Sequence, residues 1–329
     1  MGRRPDGTAR SSPSETRAAQ LALAREQAGR RRPADLLRQF LVDDFVAPAP
    51  LALGLVNRLD RLAIDAAEGF EGILLSPLAP LGASSVIAPG SQDRIVSTTR
   101  STEVVSDPTN MLALECARRL DPARGGRAGD VRLATVHQTV RAQPIPEGGG
   151  SARSRHFRLF ALAEAGRGRR DDGFEVEAVA RQLGVFDRLL DACSAELGLE
   201  VGTRRAIVRT APGEAVLGER VAARLLRVLP HVDLVTEPLE SGYYAGLRVG
   251  FGADRPSGGF AEIADLGRFD WVARLRSDRR LRLVAAGLGL QLVPSLFGAV
   301  ESASRQRTST MARQGAPRRS RSVPPSGHG

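Results

Sequence analysis

Apolar residues recur at helical spacing between Pro50 and Glu68, where Leu53, Val56, Leu59, Leu62 and Ile64 fall on or near one face. The spacing predicts a helix that stops at Gly69. The short apolar run Gly72-Ile-Leu-Leu-Ser-Pro77 then reads as a strand closed by proline, and residues 83–106 read as two weaker strands around Ser91–Arg94. Asp107-Pro-Thr109 opens a helix over Asn110–Leu120, because Asp and Thr side chains accept from the unpaired amides of a first helical turn. Arg124–Asp130 is a loop. From His137 to Phe160, two alternating stretches flank Gly148–Gly150 and predict a hairpin with arginines on both arms. Phe174–Leu197 reads as a strand end running into a long amphipathic helix. Val232–Val235, Tyr243–Phe251 and Glu262–Asp265 are strand-like, Trp271–Leu275 is helical, and Leu281–Leu292 with Pro294–Val300 completes the core. Hairpin connections mix with helices and no solenoid repeat occurs, so the expected fold class is α+β, an antiparallel β-sheet flanked by helices.

Charge divides the 329 residues into three parts. The formal net charge is +10, yet residues 1–34 hold eight Arg against three acids and residues 302–329 hold six Arg and no acid. The segment between them is close to neutral. Residues 1–34 and 302–329 therefore read as basic disordered tails around a core domain at 35–301. A functional reading makes them arms for nucleic acid or an acidic partner; the favoured reading is that they are solvating extensions.

No lysine occurs anywhere in the chain, which excludes lysine nucleophiles, Schiff bases and a Walker-type phosphate loop. Cys116 and Cys193 lie in predicted helices without partners at metal-ligand spacing, and the four histidines form no H-x-x-x-H pattern. A protein-built metal site is not expected. The uncharged run Leu283–Val300 approaches membrane-spanning length, but Gln291, Pro294 and three glycines interrupt it. A buried strand and helix, in a cytoplasmic protein with no membrane segment, is the expectation.

The order of these motifs resembles the catalytic core of class II aminoacyl-tRNA synthetases, and within that class the histidyl-tRNA synthetase branch. The helix followed by the strand ending in Pro77 is similar to motif 1, which implies a homodimer built through that segment. The hairpin is similar to motif 2, with Arg141 on the first arm and Arg153-Ser-Arg-His-Phe157 on the second. The resemblance implies ATP, with Mg2+, as cofactor: Arg141 on the α-phosphate, and so the catalytic arginine, Arg153 on the terminal phosphates, and Phe157 stacked on adenine. Guanidinium forks and an aromatic face suit those partners. Gln143 stands where the family usually has Glu. Asp107 and Thr109 match the residues that hold a substrate amino group, Tyr243 and Tyr244 match the family's tyrosine pair, and Arg268 lies in Leu266-Gly-Arg-Phe-Asp270, similar to a G-G-R-Y-D turn. The bland alternatives are packing tyrosines and a local Arg268–Asp270 ion pair.

The departures carry equal weight. Leu292 occupies the position of the motif 3 arginine, Glu237-Pro-Leu-Glu240 offers no arginine before the tyrosine pair, and Leu159 replaces a pocket glutamine. No anticodon-binding domain is expected after residue 300. A preorganised phosphate clamp short of two cations loses much of its electrostatic stabilisation. The resemblance therefore implies a dimeric nucleotide- or amino-acid-binding regulatory protein that does not charge tRNA, of the ATP phosphoribosyltransferase regulatory-subunit type, with a catalytic protein partner. The alternative is a stand-alone ligase forming an aminoacyl adenylate for another acceptor, with Arg155, Arg158, Arg248 or Arg282 as a substitute cation.

Overall fold

The computed structural model describes residues 12–49, 51–126, 129–142 and 155–298. Gln143, Arg153, Gly148–Gly150 and the C-terminal basic segment lie outside the described residues. At the centre is an eight-stranded, mostly antiparallel sheet in the order β1-β4-β5-β10-β9-β8-β6-β7. Its strands are β1 (Glu71–Gly72), β4 (Val131–Val140), β5 (His156–Arg167), β6 (Arg204–Thr210), β7 (Asp233–Pro238), β8 (Leu247–Asp254), β9 (Phe260–Phe269) and β10 (Leu281–Gly289). Only the outermost pairs, β1 with β4 and β6 with β7, run parallel. A separate two-stranded ribbon pairs β2 (Leu78–Pro80) with β3 (Thr102–Val104).

Helices cover both faces of the sheet. On one side α3 (Leu53–Ala66), α5 (Gly173–Leu197) and α6 (Ala215–Val228) bury a cluster that includes Leu59, Leu62, Phe160, Phe186, Val221 and Phe251. On the other, α4 (Pro108–Arg119) and α7 (Trp271–Arg276) cover a smaller cluster with Leu112, Cys116, Leu133, Ala161 and Trp271. In α3 the buried positions Leu59, Leu62, Ala63 and Ala66 follow the i, i+3, i+4, i+7 stripe. The helix forms where the spacing predicts it, but Leu53 and Ile64 of the expected face are exposed, and Ala63 and Ala66 complete the buried stripe instead. The short α8 (Leu292–Phe297) follows β10 and closes the core.

Several local expectations are corrected. Residues 13–29 of the presumed tail form α1 (Pro13–Gly29), and α2 (Pro33–Val42) straddles the expected boundary between tail and core at residue 34. Neither helix buries a residue, so low burial was legible while helicity was not. Ser12 and Glu15 form a capping box ahead of Pro13, and alanine-rich sequence sustains a helix without a core. The strand predicted over 72–77 shortens to Glu71–Gly72. The residues after Gly82 form a π-helical turn, Ala83–Ile87, rather than a strand, because the buried Glu103 carboxylate accepts from the amides of Gly82 and Ser84. Phe174 lies inside α5, not in a strand. The strand β6 and helix α6 have no counterpart in the sequence reading. Arg204, Arg205 and Arg209 mask the apolar Ala206 and Val208 of β6.

The α4 helix closes with Arg118 and Arg119 on Glu115, at 2.6 and 2.7 Å. Their hydrogen bonds, Arg118 first and against the cost of burial, hold the Glu115 carboxyl down at about 2. A carboxylate depressed in the folded state stabilises the fold above its ordinary value and loses that contribution as it protonates. Glu115→Gln is therefore expected to flatten the acid limb of the melting temperature between pH 4.5 and about 2, measured by calorimetry across that range.

Candidate functional site

Strand pleating sorts the central sheet into a helical α5 face and a second face on which the candidate residues collect. Arg141 follows the last residue of β4, and its backbone N–H donates to Arg155 O across the hairpin at 2.8 Å. Its Nε donates to Ser106 O at 3.1 Å, which fixes the guanidinium plane. The guanidinium carbon lies 5.1 Å from the centroid of Phe157. Phe157 is half-buried opposite Thr139 in the β4–β5 register. One cation and one aromatic face are thus presented side by side.

Ser106 also leads into the second group of residues. Asp107 caps α4: its Oδ1 accepts from Thr109 N at 3.0 Å and from Thr109 Oγ1 at 2.7 Å. Above it, Tyr243 contacts Tyr244, Phe269 and Trp271 edge-on, with centroid separations of 5.1, 5.7 and 6.0 Å. Burial pushes the Tyr243 phenol up, the Asp107 and Asp265 carboxylates push it further, and Arg141 opposes them. The Tyr243 ring packs among Tyr244, Phe269 and Trp271, as the packing reading expects.

Tyr244 starts a ladder of alternating charge. Its hydroxyl donates to Asp265, which also accepts from Arg248 Nε at 2.8 Å; Arg248 reaches Glu262, which accepts from Arg209 Nη1 at 3.2 Å; and Arg209 Nε donates to Glu237 Oε2 at 2.8 Å. Two glycines make room for it. A Cβ on Gly267 would sit 2.4 Å from Tyr244 Cδ1, and one on Gly250 would sit 2.5 Å from the Glu262 carboxyl carbon. Gly267→Ala is expected to displace the Tyr244 ring and weaken its bond to Asp265, read as faster iodination of the Tyr244 ring at the carbons ortho to its hydroxyl.

Arg268 stands apart from this group. It pairs with Val284 in register and so points to the α5 face, where its Nη2 bonds Glu214 and its Nε bonds Ala245 O. The Arg268–Asp270 pair is not formed; Asp270 meets Arg274 instead. Of the proposed substitute cations, Arg158 pairs with Asp60 and Arg282 with Glu175, Arg155 lies 4.7 Å over Phe45, and Arg248 is held in the ladder. Leu292, at the strand-to-helix junction after β10, packs onto Gly289, where a Cβ would meet Leu292 Cδ1 at 3.0 Å. The motif 3 position is therefore apolar packing, and Glu237 in the arginine-free stretch before Tyr243 is neutralised by Arg209.

Arg141 and Phe157 fit a purine nucleotide phosphate. Among the described residues, no group of three or more His, Cys, Asp or Glu is arranged to hold a metal ion. Sequence reasoning missed Arg209, Glu262 and Asp265, and the polar residues Thr135 and His137 on the same face. Their signal was strand alternation, which is visible only once β6 and the β4 register are assigned. Among the described residues, no helix is long and apolar enough to cross a membrane.

No family model matches the sequence, and no curated protein matches it. Solved structures do match. An ATP phosphoribosyltransferase regulatory subunit/histidyl-tRNA synthetase from Bacillus halodurans aligns with TM-score 0.57 at 14% identity, over 82% of this chain and 88% of that one. A threonyl-tRNA synthetase from Aeropyrum pernix aligns with TM-score 0.56 at 14% identity, over 77% and 60%. The apo histidyl-tRNA synthetase of S. aureus aligns with TM-score 0.52 at 11% identity, over 78% and 74%. At these identities the likeness is one of fold. The chain has the fold of a class II aminoacyl-tRNA synthetase core, similar to those of histidyl-tRNA synthetase and the histidyl-like regulatory subunit.

Proposed function

We propose that this protein is a dimeric synthetase-like paralogue that binds a nucleotide and an amino acid without charging tRNA, and that it acts as a regulatory subunit for a catalytic partner. The observation that carries this reading is Leu292. A phosphoryl clamp needs opposed cations aimed where charge develops, and here the second cation is replaced by a side chain packed on Gly289. Arg141 still stands beside Phe157, which supports a reading of binding without transition-state stabilisation. Asp107 and Thr109 would hold an amino group, with Tyr243 and Tyr244 walling the pocket and Gln143 and Arg153 completing the nucleotide side. ATP, when bound, would supply the phosphoanhydride. The regulatory-subunit likeness supports the same reading, since that chain is covered over 88% of its length.

The experiment is exchange of labelled pyrophosphate into ATP with pooled amino acids, beside calorimetric binding of ATP. Binding without exchange is the expected result. Exchange above background would instead favour the stand-alone adenylate-forming ligase. One observation keeps that second reading in view: Arg248 shares the sheet face with Gly267 and Asp265, and release from its carboxylates would give a second cation.

The dimer is proposed through the motif 1-like segment. Leu74 in that segment is 95% accessible, and Leu78, Leu81 and Val86 shortly after it are also exposed, which is a costly arrangement for a monomer in water. Leu74→Asp with Val86→Asp is expected to yield a monomer by sedimentation. A nucleic-acid partner for the basic terminal segments is tested by deleting residues 1–34 and 302–329. Loss of a salt-sensitive interaction would support it, and unchanged binding would exclude it.

A further inference from the structure

A cavity of about 440 Å³ lies away from the candidate site, beside the last turn of α4. Arg118 and Arg119 of that turn, Arg132 of β4, and Glu71 and Asp130 line it, together with three glycines and a single apolar side chain, Val131. The sheet leaves this space open. β1 joins β4 only from Glu71, opposite Leu133, so the edge of β4 at Val131 and Arg132 has no strand alongside it among the described residues. A Cβ built on Gly69 or Gly125 would meet no atom within 4 Å, so the turns at the rim do not fill it. The volume is that of a small-molecule site, for which about 300–1,000 Å³ is usual. The twelve residues of α4 span about 18 Å, and the Asp107 cap stands at the other end.

The carboxylates around the cavity are already matched. Glu71 accepts from Arg119 Nη1 and Nη2 at 2.5 and 2.8 Å, and Glu115 accepts from Arg118 and Arg119. Asp130 accepts from Arg169, and the buried Glu164 accepts from Arg181 Nε at 3.0 Å and Arg132 Nε at 3.2 Å. Two of the lining arginines are not used up by this pairing. Arg132 spends only its Nε, on a carboxylate that Arg181 also holds, and neither of its Nη atoms makes a hydrogen bond among the described residues. Arg118 spends Nε and Nη2 on Glu115 and keeps Nη1. A guanidinium carries five N–H donors in a planar fork and no acceptor, so what these two side chains still offer is donors and positive charge.

We infer that this cavity is a second binding site, which takes a small oxyanion, a phosphate ester or a polycarboxylate, on Arg132 and Arg118. The lining selects that chemistry by what it lacks as well as by what it holds. A cationic ligand would meet only carboxylates that arginines already engage. An aromatic or aliphatic ligand would have one side chain, Val131, to pack against. Phosphate and carboxylate oxygens, by contrast, accept parallel bonds from a guanidinium fork, and such charge-assisted bonds are the strong ones. The site is independent of the nucleotide reading, because no residue of it belongs to the hairpin or to the Asp107 end of α4.

The test is calorimetric titration of the full chain carrying Arg141→Ala, so that the hairpin arginine cannot take the probe. Phosphate, pyrophosphate and citrate are the separate probes, with chloride holding the ionic strength constant because salt screens exposed charges. At least one of the three is expected to bind saturably. Adding Arg132→Lys should weaken that binding roughly tenfold, since the point charge beside Glu164 remains while the planar fork is lost. Adding Arg118→Gln should weaken it about fivefold by removing one charged donor. Both substitutions should leave the fold intact, because a cation stays beside Glu164 in the first and Arg119 still holds Glu115 in the second. Made singly in the wild-type chain, each should leave ATP affinity within about twofold, as expected of distant sites. Absence of saturable binding by all three probes would overturn the site, and so would binding that neither added substitution changes. A matching loss of ATP affinity would place both ligands in one site and overturn the inference as well.

Discussion

Arg141→Ala is expected to lower ATP affinity by roughly 100-fold, about 3 kcal/mol, while the dimer and the melting temperature stay close to wild type. The size follows from charge-assisted hydrogen bonding: a guanidinium fork engages phosphate oxygens in two parallel bonds, and alanine removes both. Little else depends on the side chain. It is half-exposed, bonds one carbonyl through Nε and lies over one ring, so its loss leaves no buried charge behind. Arg141→Lys should fall between wild type and alanine, because the point charge remains and the planar fork does not. Isothermal titration with ATP on all three proteins decides the matter. Equal affinity across the series would remove the assignment of this hairpin as a nucleotide cradle and, with it, the proposed regulatory function.

Phe160→Ala should be the most damaging single change to the fold, at about 3–5 kcal/mol of unfolding free energy. Phe160 is fully buried on the α5 side of β5 and meets Phe186 edge-on at 5.9 Å between centroids. Removing the ring deletes that aromatic pair and leaves a cavity under the longest helix, which cannot collapse onto a sheet held by register on both sides. A loss of this size is a large share of the stability of an ordinary domain. Denaturant titration should show a lower midpoint with an unchanged slope. A shift below about 1 kcal/mol would mean that the α5 layer repacks freely, contrary to the dense cluster around Leu183, Phe186 and Leu189.

The legible parts of the fold are those where local pattern and tertiary burial agree. The α3 helix, the Asp107 cap and the hairpin arms were visible in sequence because local pattern and burial coincide at residues such as Leu59 and Leu62, although Leu53 and Ile64 of the expected α3 face stay exposed. The illegible parts are those where long-range partners decide. Residues 83–87 turn into a π-helical segment because a carboxylate from β3 reaches across to cap them, and no window of sequence contains that interaction. β6 is hidden for the opposite reason: its arginines look solvated until β7 and β9 supply Glu237 and Glu262 as partners. The candidate site divides in the same way. Arg141, Phe157, Asp107, Thr109 and the tyrosines are brought to one face, whereas Arg268 has the right neighbours in sequence and the wrong parity in its strand.

The two cysteines supply an internal clock for each layer of the molecule. Cys116 is buried on α4 beneath the site face, and Cys193 is buried on α5 in the opposite layer, each with its thiol pushed up by desolvation. A thiol reagent can reach either sulfur only when its own layer opens, so the two reaction rates report two separate opening equilibria. A ligand bound at Arg141 and Phe157 that steadies the α4 layer would slow modification of Cys116 and leave Cys193 at its own pace. Mass spectrometry of partly labelled protein would then locate occupancy without a ligand assay, in a chain where amine chemistry has no lysine to confuse the count.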